Sequence, residues 1–255
     1  MKTASVFLSV LTLLIWSAIA YSAIDETMLL ALSFDSAQGG VATDSSLYGF
    51  DGKIEGAKSV DGKFGKALEF DGTTDIVIVP DDPKLMLMEG GTLMAWAYIM
   101  TEEGHASWNR IIIKSVDNGG TTNGYDFLFD RAAGYSIRFC TGGVCTSHFA
   151  METDSWHHVA VTFDNEMITV YADGEQVGEI AQAGPVVDSS GIDVHIGNGA
   201  VIDRPYNGIL DEVRIFDRAL EAEEIEWHMA RGTREIVAVE PRSKLATAWG
   251  IIKAD

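Results

Sequence analysis

Carboxylates dominate the groups in this chain that could do chemistry, with 38 acidic against 18 basic side chains in 255 residues. Hydrolysis of a glycosidic bond needs two of them flanking the bond, about 5 to 5.5 Å apart in the retaining route. No convincing pair is present. Glu221, Glu223, Glu224 and Glu226 crowd a helical stretch, and Asp211 and Glu212 are neighbours on a strand, which sends them to opposite faces. His157 and His158 are also adjacent on a strand, so one should be packed and the other exposed, while His105, His148, His195 and His228 are scattered without a metal-ligand spacing. The chain has no HExxH helix, nucleophile elbow or phosphate-binding glycine loop. No residue is assigned a catalytic role, and the expectation is a protein that is not an enzyme.

Three other groups stand out. Cys140 and Cys145 flank Thr141-Gly142-Gly143-Val144, a spacing that sets them across a short hairpin. An oxidising compartment would join them as a disulfide worth about 2 kcal/mol, and a reducing one would leave two thiols. Asp211 is expected on one strand face with Ile209, Val213 and Ile215, with Glu212 and Arg214 marking the wet face. A carboxylate on the apolar side needs a partner there. Finally, Trp108 lies in a polar stretch, residues 102–110, and Tyr125 and Asp126 follow the loop 117–124. A groove built from Trp108, Asn109, Arg110, Tyr125 and Asp126 is the expected ligand surface, since pyranose rings stack on aromatic rings while amides and carboxylates bond their hydroxyls. Trp96 and Trp156 sit in alternating strands and are expected to be structural.

The elements that position these residues are strands. Period-two apolar runs recur from residue 29 to residue 216, bounded by Gly, Asp, Asn and Pro, with 26 glycines and only 5 prolines in the chain. That pattern predicts an all-β, two-sheet antiparallel sandwich. The block SWHHVAVTFDNEMITVYADG, residues 155–174, encodes one hairpin followed by another. One helix is predicted over 221–229, its first turn rich in glutamate to complement the helix dipole.

Residues 1–20 carry the charged, apolar and small-residue parts of a secretory signal peptide, with cleavage expected after Ala20. The apolar run is shorter than the roughly 20 residues of a spanning helix, so no membrane span is expected in the mature chain. A secreted or extracytoplasmic location follows. The net charge of −20 argues against nucleic acid as a partner. Much of the acidity serves turns, since aspartate precedes glycine at Asp51, Asp61, Asp71 and Asp173. One globular domain is expected over 24–231, followed by a tail, 232–255, of unassigned role that carries basic residues and a Pro241 break.

The block above, YNGILDEVRIFDRALEAEEI (206–225), GKALEFDGTTDIVIVP (65–80), GTLMAWAYI (91–99) and the opening 29–56 follow one another in the order of the laminin-G-like jelly-roll domains of the concanavalin A-like lectin and glucanase superfamily, which the chain resembles from about residue 29 to residue 231. The resemblance implies a jelly roll. It also implies a structural calcium ion held by Asp211, with Asp35 supplying the second carboxylate and backbone carbonyls and water completing a shell of six to eight oxygens. The reading is a binding module for a glycan or an extracellular protein. The alternatives are a surface component in which the domain is a spacer and the tail mediates assembly and, further off, a glycoside hydrolase.

Overall fold

A computed structural model of the chain describes residues 25–37, 39–101, 108–116, 123–146, 149–199 and 204–237. The leader 1–20 and the tail beyond residue 237 lie outside the described residues. Among the described residues no helix is long and apolar enough to cross a membrane.

Two eight-stranded antiparallel sheets face each other. The first runs Glu175–Ala181, Met167–Ala172, Trp156–Phe163, Gly91–Ile99, Asn207–Phe216, Lys66–Asp71, Lys58–Asp61, with Met28–Leu32 also paired to Asn207–Phe216. The second runs Val144–Cys145, Ser136–Thr141, Tyr125–Asp130, Trp108–Lys114, Val194–Ile196, Ile76–Val79, Gly52–Glu55, Val41–Ala42. Alternation drives the assembly. Leu93, Ala95, Ala97 and Ile99 on one sheet and Tyr125, Phe127 and Phe129 on the other point inward into a single fully buried cluster. The expected sandwich is therefore observed. The short strands Val41–Ala42, Gly52–Glu55 and Lys58–Asp61 escaped the sequence reading, because their mixed polarity carries no clear period.

Several aspartates brace turns, as expected. Asp44 is buried and accepts the backbone N–H groups of Ala31, Ser46 and Phe50 at 2.8 to 2.9 Å.

The strand Asn207–Phe216 departs from the sequence reading. A β-bulge interrupts its pairing between Asp211 and Arg214, and Glu212 adopts φ 51°. The extra residue shifts the alternation. Leu210, Val213 and Ile215 point into the core, whereas Asp211 pairs across from Trp96 and Arg214 from Met94, on the outer face. Asp211 thus does not share a face with Val213 and Ile215, and Asp211 and Glu212 are not sent to opposite sides. The bulge also marks a change of neighbour, from Lys66–Asp71 before it to Met28–Leu32 after it.

Nor is the outer face wet. Helix α1, Ala222–Met229, starts from Glu221 with a capping box to Glu224, and a short helix α2, Thr233–Val237, follows. They cover Glu212 and Arg214, which are 3% and 1% exposed. Arg214 donates to Glu212 Oε2 at 2.7 Å, Arg231 O at 2.7 Å, His228 O at 2.8 Å and Thr233 Oγ1 at 3.2 Å. Glu212 Oε2 also accepts from Thr233 N at 2.8 Å and from the Thr233 hydroxyl. One guanidinium and one carboxylate thereby fasten the first residues of the tail to the sheet.

Candidate functional site

Asp35 and Asp211 approach the turn 62–66 from two sides. Phe64 N donates to Asp211 Oδ2 at 2.9 Å and Glu212 N to Asp211 Oδ1 at 2.8 Å. Lys66 N donates to Asp35 Oδ1 at 2.8 Å, and the Arg234 guanidinium lies 3.0 Å from Asp35 Oδ2. A Cβ on Gly62 would stand 2.6 Å from Asp211 Oδ2, so the carboxylate takes the space a side chain would fill. Burial drives the Asp211 carboxyl up to about 8, with Glu212 and Asp35 adding repulsion against the two N–H donors. Three of the four carboxylate oxygens accept backbone N–H bonds, and the fourth, Asp35 Oδ2, is ion-paired with Arg234. These contacts fasten the turn to the two strand ends.

One trio has the order of a hydrolytic triad. Ser155 Oγ lies 2.8 Å from His157 Nε2, and His157 Nδ1 lies 2.8 Å from Asp173 Oδ2. The structure gives these groups a bracing task. Asp173 Oδ1 accepts His158 N at 2.9 Å, and Asp173 N donates to His158 O at 2.8 Å, so the carboxylate ties the turn to the neighbouring strand. Its side chain is 51% exposed, which spreads into water the charge a triad aspartate must present to an imidazolium. His158 faces the other way, buried against Trp96 with ring centroids 5.5 Å apart, as adjacent strand positions require. Trp96 itself is pinned by Lys63 over its ring and by a bond from its indole N–H to Met229 O, a structural role.

The second sheet carries the polar groups that the sequence pointed to. On its outer face Trp108 pairs across from Asp130, and Arg110, Leu128 and Arg138 form the next row. The row beyond joins Ile78, His195, Ile113, Asp126 and Cys140 to Cys145. Arg110 and Asp126 make a buried two-pronged ion pair, Nε to both carboxylate oxygens at 3.2 Å and Nη2 to Oδ2 at 3.1 Å. Breaking such a pair leaves a buried charge, so it holds the floor of this face rigid. Above it the Trp108 ring has the Arg204 guanidinium 3.7 Å and the Arg138 guanidinium 5.4 Å from its centroid. Arg138 also reaches Asp130 Oδ2 at 3.3 Å. His195 is buried there, its Nδ1 without a hydrogen-bond partner and its pKa lowered by that burial.

Of the five expected groove residues, then, Trp108, Arg110 and Asp126 come together. Tyr125 and Asn109 do not. Tyr125 is fully buried in the core with its hydroxyl bonded to Leu85 O, and Asn109, 2% exposed, pairs across from inward-facing Phe129. Each is one residue from an outward neighbour and so turns inward. Arg138, Arg204, Asp130 and His195 were missed. Alternation in SIRFC could have placed Arg138 beside Cys140, but nothing local announces Arg204.

Cys140 and Cys145 form the disulfide, closing a turn whose two glycines have φ 54° and 86°, the primed geometry of a two-residue hairpin. This staple ends the row that holds Asp126.

The sequence model of the laminin-G family described as the concanavalin A-like lectin/glucanases superfamily matches residues 71–226. No curated protein sequence matches the chain. Among solved structures, the binding domain of Paraclostridial Mosquitocidal Protein 1 superposes with a TM-score of 0.64 at 14% identity, over 81% of this chain and 52% of that one. Domain 4 of AbnA, a GH43 extracellular arabinanase from Geobacillus stearothermophilus in complex with arabinotriose, gives 0.61 at 19% identity, over 80% and 98%. A Trypanosoma rangeli sialidase gives 0.61 at 17%, over 83% of this chain and 33% of that one. The chain thus spans about half of the first of these structures and a third of the sialidase. At these identities the likeness is one of fold.

Proposed function

Because the chain belongs to the concanavalin A-like lectin/glucanases superfamily, we propose that it is an extracytoplasmic, non-catalytic binding module that holds a glycan on the outer face of its second sheet. The carrying observation is the half-buried Trp108, framed by Arg138 and Arg204 above the buried Arg110–Asp126 pair. An aromatic ring with hydrogen-bonding forks fixed around it is the equipment for a sugar, whose apolar C–H face and equatorial hydroxyls need both kinds of partner. The fold of an arabinotriose-bound domain, matched over nearly all of that domain, agrees with this reading. Location outside the cytoplasm rests on the leader and on the Cys140–Cys145 disulfide.

The test is native affinity electrophoresis through gels cast with neutral and acidic polysaccharides. Retardation by at least one, with no release of reducing ends, supports a non-catalytic glycan module; free migration through all of them overturns it. Calcium at Asp35 and Asp211, which the family resemblance implies, is tested separately by melting in chelator and then in added calcium. Turn-fastening alone predicts the same curve in both, and a calcium shell predicts a rise.

A further inference from the structure

Helix α1 buries one side and borders an open cavity on another. Ile225 packs into a cluster with Met28, Ala31, Met94, Ala160 and Phe216, and the His228 ring lies 4.9 Å from that of Phe216. Beside that contact Glu223, Glu224, Trp227 and His228 line a cavity of about 170 Å³ whose surface is almost wholly apolar. We propose that the tail of this chain, residues 238–255, folds back along α1 and seats Leu245, Trp249 and Ile252 against Trp227 in that cavity.

The place where the tail leaves the domain favours this occupant. A Cβ on Gly174 would meet Met229 at 3.1 Å and Glu226 at 3.3 Å, so that flank of α1 faces the turn after Met167–Ala172. Glu224 faces the other way. It pairs with Arg218 at 2.7 Å, and Arg218 reaches Thr27 and Asp25, just before the strand Met28–Leu32. The cavity therefore lies on the flank toward that strand. Helix α2 sits at the strand's other end, with Arg234 3.0 Å from Asp35, and the tail begins there after Val237. The eight residues from Val237 to Leu245 reach up to about 26 Å when extended. Helix α1 is only about 12 Å long, so the tail has the length to double back along it.

Composition agrees with that path. Leu245, Ala248, Trp249 and Ile252 recur at i, i+3, i+4 and i+7, the spacing of one apolar helix face, and Pro241 separates this stripe from α2. Such a stripe needs an apolar partner. An engineered cavity of about 150 Å³ with apolar walls takes up benzene, so the one beside Trp227 has room for a tail side chain. The tail carries Arg242, Lys244 and Lys253 against Glu240 and Asp255, in a chain of net charge −20. Glu223, exposed at the cavity rim, makes no ion pair among the described residues and meets the basic tail with the opposite charge. The tail is on this account part of the domain rather than an arm that joins other molecules.

The test uses the mature chain, residues 21–255, with the photoreactive p-benzoylphenylalanine in place of Trp249. Irradiation in dilute solution should give a monomer cross-linked from the tail to residues 222–231, located by peptide mapping. In the unsubstituted chain the amides of residues 244–253 should exchange slowly with solvent. Trp227→Ala should weaken that protection about tenfold, the effect of removing a central tryptophan contact. A melting curve establishes that the variant folds, and the cross-link is made in a chain whose α1 is intact. Cross-links elsewhere on the domain, between two chains or not at all overturn the inference. So do tail amides that exchange as fast as those of an unstructured peptide, or protection that Trp227→Ala leaves unchanged.

Discussion

Replacing Arg214 with methionine should strip helices α1 and α2 from the first sheet more effectively than any apolar truncation on that face. Methionine keeps the aliphatic stem and removes the guanidinium. Five hydrogen bonds go with it, the long one to the His228 ring included, and Glu212, whose side chain is 2% exposed, is left as a buried carboxylate held, among the described residues, by Thr233. Removing one partner of a buried ion pair costs about 3 to 5 kcal/mol. For a domain of this size each kcal/mol moves the melting temperature by roughly 2 to 4 °C, so the expected fall is about 6 to 20 °C. The assay is thermal unfolding followed by circular dichroism at neutral pH, with proteolysis in the 222–237 segment as a local readout. Adding Glu212→Gln to the variant removes the stranded charge and should recover a substantial part of the loss, a coupling of about 0.5 to 3 kcal/mol. A fall below about 3 °C, or a double variant no better than the single one, would refute the view that this pair latches the helices.

Three further outcomes follow from the same geometry. Burial holds the Asp211 carboxyl near 8 against its ordinary 3.8, so the folded state keeps a proton that the unfolded chain has released. Stability should therefore decline as pH rises from about 4 to 8; Asp211→Asn in chelator should flatten that decline, and an equally steep one contradicts the assignment. Serine at both Cys140 and Cys145 should lower the melting temperature by roughly 4 to 8 °C, from about 2 kcal/mol of loop-closure entropy, and an unchanged value would mean the staple adds nothing. A fluorophosphonate probe should leave Ser155 unlabelled, since the Asp173 carboxylate beside His157 is a half-exposed turn brace; a labelled serine would reopen hydrolysis.

The sandwich was legible because its signals are local. Alternation in Gly91–Ile99 and Trp156–Phe163 and the Asp173-Gly174 turn each state one element. The face of Asp211 was not legible, because the bulge turns on a glutamate at positive φ and no glycine or asparagine announces it. Glu212 and Arg214 read as solvent residues because what covers them, α1 and α2, comes eight or more positions later. At the candidate site Trp108, Arg110 and Asp126 were found by composition, and alternation alone should have set Tyr125 and Asn109 on the other side. Arg204 reaches Trp108 from far along the chain, a contact only the folded structure supplies.

The central claim is that the Trp108 face binds a sugar chain. It is tested most directly by calorimetric titration of wild type and Trp108→Ala with an oligosaccharide of whichever polysaccharide retards the wild type. Saturable binding that the variant loses, with its melting temperature within a few degrees of wild type, is the predicted result. Equal affinity in the two proteins would place the ligand elsewhere and contradict the account.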